Sequence, residues 1–402
     1  METWWIKSKR IVFPDGVSSG AILVEKGKIQ AIQRGESAAF SEGKKVDVGD
    51  RWIVPGLIDM HIHGSGGWAV GSSDPKDLLG LSDYLPSVGV TAFQPSTSGA
   101  MFEDLIEELG AIATAMDRQT SGARMIGIHM EGTFLNPKKK GAFPAEVLLK
   151  PTVEKMQAFL DAGQGKIQHV SMAPEIEGAE AVIHFLRDKG ILVAGAHTDA
   201  TYEETMRGIE WGVALSNHTC NAQRSIHHRD PGALGAYLLS DVDCELISDF
   251  VHVHPQMMEM IRRLKGVEKI ALVSDAILAA GVAPGRYVFE GREIIIGEGG
   301  GSTLPDGTIA GSTGNLLLGF QNWVKVLGVS MEEASVMASR NPARITEVLD
   351  RKGSIEIGKD ADLLVLDSDL SLDMTVCEGR VAYRKDEKKD RTNPAFREYL
   401  VQ

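Results

Sequence analysis

Two histidines separated by one residue, His61 and His63, end the apolar run in VPGLIDMHIHG, residues 54 to 64. On a β-strand, side chains at i and i+2 lie on one face, about 6 to 7 Å apart along the backbone, so both rings could bind one metal ion. An HxH pair alone is weak, because ordinary hydrogen-bonded histidines at the mouth of a strand fit it equally well. The GSGG that follows favours a strand end facing a cleft.

Four later apolar runs each lead into an ionisable side chain of the same kind. These are Glu131 in IGIHMEG, His197 in LVAGAHTD, His218 in VALSNHT and Asp275 in IALVSDA. Five strand ends that present imidazole or carboxylate to a common mouth are the pattern expected of a catalytic metal site. Such a donor set suits Zn²⁺, Fe²⁺, Mn²⁺ or Co²⁺ without choosing among them. An ion of this kind acidifies water and polarises a carbonyl, and a nearby carboxylate must move a proton to the leaving nitrogen.

Four other candidate residues have a simpler interpretation. His129 shares a strand face with Glu131 but lies deeper in the run, which favours a role in the core or behind the ligands. Cys220 lies where the strand should already be turning, so we predict a small buried thiol. His184 falls on a predicted outer helix and His169 has no evident partner.

The segment NAQRSIHHRDPG, residues 221 to 232, concentrates cationic donors in an otherwise acidic chain. It contains Arg224, His227, His228 and Arg229 directly after His218. Arginine is suited to bidentate binding of phosphate or carboxylate, so the segment predicts an anion-binding loop. A solvated surface loop is the alternative.

The elements that must position these residues are indicated by hydrophobic periodicity. Residues 1–54 and 350–402 contain short alternating apolar stretches separated by turns, which predicts a small β-sandwich domain built from both chain termini. Residues 55–349 alternate strand-like runs with helix-like stretches, which is typical of parallel βαβ units. About 300 residues of this pattern fit a (β/α)8 TIM barrel, so we predict an α/β catalytic barrel with a small companion domain.

Composition excludes several classes of protein. The 402 residues carry a net charge of −13, which argues against nucleic acid or an acidic membrane as partner. The three cysteines, Cys220, Cys244 and Cys377, are too scattered for a disulfide framework. No apolar run is long enough for a membrane span and the first residues lack the pattern of a signal peptide, so we expect a cytoplasmic protein.

Longer motifs extend these observations to a family resemblance. The chain resembles the amidohydrolase superfamily, and within it the N-acetylglucosamine-6-phosphate deacetylases, nearly from end to end. HxH alone is common in the superfamily, whereas two of the motifs are much narrower. The motifs include VPGLIDMHIHG, GIHMEGTFLNPKKKGA, GAHTDATYEE, HHRDPG, LVSDAILAAG, TIAGS and GSIEIGKDADLLVLD, of which the EG-FLNP-KKGA segment and HHRDPG are the narrow ones.

The resemblance implies a metal centre at the residues already singled out. By position, Glu131, His197 and His218 match metal ligands of the family. His61 and His63 match a pair that completes a second metal position in some members, so one or two ions per subunit are implied, with zinc the first expectation. The implied fold is a (β/α)8 barrel with a terminal β-sandwich, usually as a homodimer.

The resemblance also implies a reaction and a substrate site. Asp275 matches the catalytic acid and base and is the sixth metal-ligand candidate. The implied reaction removes the acetyl group from an N-acetyl hexosamine 6-phosphate, giving acetate and an amino sugar phosphate. The residues that match the substrate site are Asn221, Ala222, Arg229 and His252 for the sugar phosphate, and Ile309 and Ala310 for the sugar.

The chain departs from the family pattern around the expected substrate. The family usually has proline where this chain has Thr133, and histidine where it has Phe143. Phe143 cannot donate a hydrogen bond, so polarisation of the acetyl carbonyl would depend on the metal or on another donor such as His228 or His254. Losing one such donor typically costs about 10²- to 10³-fold in rate. N-acetylgalactosamine 6-phosphate, another N-acyl substrate, or a catalytically weak metal-binding relative therefore remain alternatives.

Overall fold

A computed structural model describes residues 3–35, 43–289, 292–297, 301–387 and 389–399. Its strands are β1 (Trp4–Phe13), β2 (Gly16–Glu25), β3 (Lys28–Arg34), β4 (Lys44–Asp47), β5 (Trp52–Pro55), β6 (Leu57–Ile62), β7 (Gly64–Ser65), β8 (Trp68–Ala69), β9 (Val90–Pro95), β10 (Arg124–Met125), β11 (Ile128–Phe134), β12 (Ile167–Met172), β13 (Leu192–Gly195), β14 (Val213–Ser216), β15 (Asp243–Ile247), β16 (Ile270–Val273), β17 (Gly285–Phe289), β18 (Arg292–Ile296), β19 (Ser302–Thr303), β20 (Leu363–Leu366), β21 (Leu372–Cys377) and β22 (Arg380–Arg384). Its α-helices are α1 (Pro75–Tyr84), α2 (Phe102–Arg118), α3 (Val153–Ala162), α4 (Ala179–Asp188), α5 (Tyr202–Trp211), α6 (Gly232–Leu239), α7 (Pro255–Lys265), α8 (Leu316–Lys325), α9 (Met331–Ser335) and α10 (Asn341–Ile345).

Eight parallel strands form a barrel in the middle of the chain. Strands β6 and β9 pair with each other, and β11 to β16 pair in sequence order. Two parallel bridges, Ser96 to His129 and Ile62 to Ala276, join these sheets and close the ring. Helices α1 to α8 lie between or after successive barrel strands. The predicted (β/α)8 architecture is confirmed.

The local sequence explains why these elements form. All four residues of β16, IALV, are buried, as expected for a parallel strand covered on both faces. Helix α4 buries Val182, Ile183 and Leu186, whose spacing places them on one face of the helix. These helix residues belong to the same buried hydrophobic cluster as Ile270 and Leu272 of β16.

Strands from both termini share one sheet of eight strands. Its order is β22, β21, β20, β5, β1, β2 and β3, with β4 also paired to β1. The two ends of the chain meet where β20 runs antiparallel to β5, with Leu363 opposite Pro55 and Leu366 opposite Trp52. The prediction that the termini build one β unit is confirmed, while its boundaries at residues 54 and 350 stay a prediction.

A buried ion-pair network links the barrel to this terminal sheet. The side chain of Lys352 is fully buried, and its Nζ lies 2.7 Å from Oδ2 of Asp362 and 3.4 Å from Oε1 of Glu378. Glu378 also accepts hydrogen bonds from the guanidinium of Arg124, which lies in β10 beside the barrel. Carboxylates of the terminal sheet thus neutralise a buried cation at the junction.

Helices long and apolar enough to cross a membrane are absent from the part of the chain that the structure describes.

Candidate active site

Six ionisable side chains meet where the barrel strands open. His61 lies in β6 and His63 follows that strand, whereas His197, His218 and Asp275 each lie two residues beyond a strand. Glu131 differs from the expectation, because β11 continues to Phe134 and Glu131 lies inside it, with an irregular pairing register after Met130. The donor atoms form groups within 4.8 Å of one another, each able to hold an ion: His61, His63 and Asp275; Glu131, His197 and His218; and His61, His129 and Glu131.

The carboxylate of Glu131 lies between two histidine pairs. Its Oε2 is 3.2 Å from Nε2 of His61 and 3.3 Å from Nε2 of His63. Its Oε1 is 3.3 Å from Nε2 of His218 and 3.8 Å from Nε2 of His197. Because each oxygen faces a different pair, Glu131 is placed to contribute to two cation positions.

Three of the four histidines use Nδ1 for a fixed hydrogen bond. An imidazole that donates a hydrogen bond from Nδ1–H to an oxygen has its lone pair on Nε2, and that lone pair is free to bind a metal. We infer this tautomer because each Nδ1 faces an acceptor and each Nε2 faces the carboxylates. The contacts are His61 to Oε2 of Glu245 at 3.0 Å, His63 to the carbonyl of Ser96 at 3.1 Å, and His197 to the carbonyl of Lys139 at 2.7 Å.

The Nε2 atoms approach one another closely. His61 and His63 are 3.2 Å apart at Nε2, and His197 and His218 are 3.0 Å apart. Two nitrogen lone pairs at this distance repel each other unless a proton or a metal ion lies between them. Since all four rings are largely buried, water cannot screen that repulsion. The donor set therefore fits a divalent cation.

The electrostatics of the cluster point the same way. Burial alone would raise the pKa of Asp275, but the charge of His61 and a hydrogen bond from His63 lower it to about 2. The pKa of Glu131 is likewise lowered by its histidine neighbours. In turn the carboxylates, against the effect of burial, raise the pKa of His63 to about 9. The carboxylates of Asp275 and Glu131 are therefore ionised, and they stabilise positive charge among the histidines around them.

The deeper histidine, His129, belongs to the layer beneath the donors. Its ring stacks on His169 with centroids 3.8 Å apart, and its nitrogens lie 2.8 Å from Oγ of Ser96 and 2.7 Å from Oγ of Ser171. Burial lowers the pKa of both rings, to about 4 for His169. Its two hydroxyl partners match the expected role behind the ligands.

Two polar residues that the sequence did not single out hold the cluster in place. Glu245 in β15 is fully buried and contacts His61. Asn217 donates a hydrogen bond from Nδ2 to Oε1 of Glu131. A carboxylate inside the apolar run CELI and a polar residue next to His218 were the only signals for them.

A cavity of about 500 Å³ opens over the donors. Five of the six predicted substrate residues line it, namely Asn221, Ala222, His252, Ile309 and Ala310, together with Phe143 and Lys138, Lys139, Ile294 and Leu304. The two lysines are cations that the sequence reasoning missed, although both stand in the quoted PKKKGA motif. The cavity is therefore mixed in character, with cations and an apolar wall.

The cationic side chains of the loop, at residues 224–229, do not line the cavity of their own chain. Arg229 is exposed and is not among the residues that line the cavity, and neither are His228 and His254. The guanidinium of Arg224 donates hydrogen bonds to the carboxylate of Asp230. Within one chain, Asn221 and Ala222 of this loop line the cavity whereas its cationic residues do not, and the role of Arg229 in anion binding stays a prediction.

Known proteins share this arrangement at the level of sequence and fold. Residues 52–382 match the model described as Amidohydrolase family, and residues 1–50 match the one described as Allantoinase, composite domain. The chain belongs to the amidohydrolase family. Members of this family are metal-dependent, so the chain is a hydrolase of the amidohydrolase type with a donor set that could hold the ion.

Relatives within the amidohydrolase family are similar over most of their length. The chain is 33% identical to an N-acetylglucosamine-6-phosphate deacetylase of Vibrio furnissii, over 89% of both chains. It is also 33% identical to an N-acetylgalactosamine-6-phosphate deacetylase of Escherichia coli O157:H7, over 82% of this chain and 87% of that one. A mutant N-acetyl-D-glucosamine-6-phosphate deacetylase of Mycobacterium smegmatis, solved in complex with N-acetyl-D-glucosamine-6-phosphate, superimposes with a TM-score of 0.88 at 28% identity, over 95% of this chain and all of that one.

Proposed function

We propose that this amidohydrolase removes the acetyl group from N-acetylglucosamine 6-phosphate, releasing acetate and the amino sugar phosphate. The observation that carries the proposal is the cavity, where the histidine and carboxylate donors lie beside the cations Lys138 and Lys139. Such a site can take a ligand that combines an amide with an anionic group. The names of the 33% identical relatives supply the substrate class.

The metal would be held by His61, His63, Glu131, His197, His218 and Asp275. We propose zinc, with iron, manganese or cobalt as alternatives, since imidazole and carboxylate suit all four. Because Glu131 faces two histidine pairs, the site has room for one or two ions per subunit. When bound, such an ion acidifies water and polarises the acetyl carbonyl.

Asp275 is proposed as the catalytic acid and base. Its carboxylate is ionised near neutral pH, since its pKa is held at about 2, so it can accept a proton from the attacking water. The same group then delivers this proton to the amide nitrogen as the carbon–nitrogen bond breaks. It lies two residues after β16, in the mouth of the barrel, and its backbone is left-handed with φ of 48°.

Recognition of the phosphate is proposed for Lys139, His252 and the Asn221–Ala222 segment, all of which line the cavity. The Nδ1 of His252 lies 2.7 Å from Oδ2 of Asp249, which orients the ring. Arg229 is exposed outside the cavity of its own chain. We therefore propose a homodimer in which Arg229 acts on the site of the second copy. We also propose that the protein is cytoplasmic.

N-acetylgalactosamine 6-phosphate is the second candidate substrate. It is favoured by the Escherichia coli relative, which is as identical to this chain as the Vibrio furnissii one. The two sugars differ only in configuration at one carbon, far from the amide that is hydrolysed. The metal chemistry would therefore be the same for both.

The deciding experiment is an acetate-release panel on protein whose metal content has been measured. It compares N-acetylglucosamine and N-acetylgalactosamine, each with and without a 6-phosphate. We expect the phosphorylated glucosamine derivative to give the highest kcat/KM. Higher activity on the galactosamine derivative would establish the second candidate, and no acetate release from any of the four would contradict both.

A further inference from the structure

Glu245 contacts one member of each of two metal-ligand groups, the one formed by His61, His63 and Asp275 and the one formed by Glu131, His197 and His218. It lies in β15, and its side chain is fully buried. Its Oε2 is 3.0 Å from Nδ1 of His61 and 3.0 Å from the backbone nitrogen of His218. His61 belongs to the group with Asp275, whereas His218 belongs to the group with Glu131. A single carboxylate oxygen therefore connects the two groups across the inside of the barrel.

Each contact fixes a different property of the donors. By accepting a hydrogen bond from Nδ1–H of His61, Glu245 keeps the Nε2 lone pair of that ring on the side of Glu131, and it makes the imidazole a stronger metal ligand. By accepting the backbone N–H of His218, it supports a residue whose φ of 23° is a left-handed conformation that costs free energy. The ring of one ligand and the backbone of another are thus held by the same atom.

A purely structural role explains this residue less well. Burying a carboxylate is costly unless it is paired and hydrogen-bonded. Among the described residues its ion-pair partner is His61, and its Oε1 has no hydrogen-bond partner. A neutral side chain would fill the same space without that cost. We therefore expect the negative charge to stabilise a cation in the cluster and not the barrel itself.

We propose that Glu245 is a positioning residue that couples the two metal-ligand groups through His61 and His218. This inference rests on the proposed metal-dependent function. Glu245 lies behind the donors and is not one of the residues that line the cavity, so its effect is exerted on metal binding. Removing its charge should weaken the ion held by His61, His63 and Asp275 first.

The test is the metal affinity of Glu245→Gln, measured in metal-buffered solution and followed by elemental analysis and by the visible absorption of the cobalt-loaded protein. Glutamine keeps the volume but removes the charge. We expect about a 10- to 100-fold loss of affinity for one ion, with a changed cobalt spectrum. Glu108→Gln is the matched control, since Glu108 is another buried carboxylate, in α2. Its metal affinity should equal that of the unaltered protein.

A double-mutant cycle separates coupling from general damage. If Glu245 acts through His61, then Glu245→Gln should cost much less affinity in a His61→Ala background than in the unaltered protein. Additive losses, or a Glu245→Gln protein with unchanged metal affinity and cobalt spectrum, would overturn the inference. If the glutamine variant does not fold, Glu245→Asp keeps the charge but withdraws it from both partners, and the same measurements decide.

These measurements use no substrate. Metal binding that depends on Glu245 in a protein that releases no acetate would retain this inference while contradicting the proposed substrate. Acetate release by a protein whose metal affinity does not depend on Glu245 would support the proposed substrate while contradicting this inference.

Discussion

The ring of Phe143 lies edge-on against the imidazole of His197, with centroids 5.2 Å apart and planes at 66°. The same ring packs against the backbone of Gly99 and Gly132. A Cβ added at Gly99 would lie 2.9 Å from a ring atom of Phe143, and one added at Gly132 would lie 2.8 Å from another. Both glycines have positive φ, so side chains there would also be strained. An apolar ring is thus packed beside a metal-ligand candidate, at the position where the family resemblance predicts histidine.

Phe143→His is expected to raise kcat on the N-acetyl substrate, by up to about 10²-fold, because it would add a hydrogen-bond donor beside the reacting carbonyl. Steady-state kinetics with the preferred sugar phosphate provides the measurement. Phe143→Ala is the control, since it removes the ring without adding a donor and should not raise kcat. An unchanged rate in the histidine variant would mean that the carbonyl needs no donor from this position.

Asp275→Asn is expected to lower kcat by about 10²- to 10⁴-fold, because asparagine has the same shape but cannot accept the proton from water. Metal content should largely persist, since Glu131, His197 and His218 form a group that does not include Asp275. Acetate release and elemental analysis are measured on the same preparation. A variant that retains the full rate would remove Asp275 from the mechanism.

Lys139→Ala is expected to raise KM for the phosphorylated substrate by about 10- to 100-fold, the usual range for losing a hydrogen bond to a charged group. The backbone carbonyl of Lys139, which accepts from His197, is retained in the variant. The unphosphorylated N-acetyl sugar is the control and should be affected much less. Equal losses on both substrates would argue that the lysine shapes the loop and does not bind phosphate.

Arg229→Ala is expected to raise KM for the phosphorylated substrate only in the assembled dimer, because Arg229 lies outside the cavity of its own chain. KM should be measured over a range of protein concentrations, with the oligomeric state followed by light scattering. A larger KM in the variant that does not change as the protein dissociates would contradict a contribution from the second copy. The unphosphorylated sugar again serves as the control substrate.

Much of the barrel and its donors could be predicted, because the signal was local. An apolar run that ends in histidine or aspartate indicates both a buried strand and the end of that strand at the barrel mouth, as at His197, His218 and Asp275. Glu131 was found by the same pattern although its strand continues to Phe134, since the side chain still faces the barrel mouth. The terminal sheet was predictable from the short alternating apolar stretches, separated by turns, at both ends of the chain.

The remainder depended on contacts between distant segments. Glu245 stands 184 residues from His61 in sequence, and an apolar run does not show which buried carboxylate faces a ligand. Lys139 stood in a quoted motif, but its place in the cavity depends on the path of the loop around Phe143. Arg229 was expected at the anion site because the family resemblance matches it to a residue that holds the sugar phosphate; it does not line the cavity of its own chain, so that role stays a prediction.

The junction between barrel and terminal sheet should make stability depend on pH in the acid range. Burial alone would raise the pKa of Glu378, but hydrogen bonds from Arg124 and the charge of Lys352 lower it to about 2. Since this folded-state value is below the ordinary value of 4.5, protonation favours the unfolded chain. The contribution of Glu378 is therefore complete above about pH 4.5 and is lost as the pH falls towards 2.

Glu378→Gln is accordingly expected to lower the free energy of unfolding at pH 6, and the difference from the unaltered protein should shrink as the pH falls from about 4.5 towards 2. Urea unfolding at a series of pH values measures this difference directly. The pKa of the neighbouring Asp362 is raised, first by burial, so its own contribution to stability changes with pH in the opposite direction. Glu146→Gln, at an exposed carboxylate, is the control. A Glu378 difference that stays constant with pH would show that packing, and not the charge on the carboxylate, joins the two units.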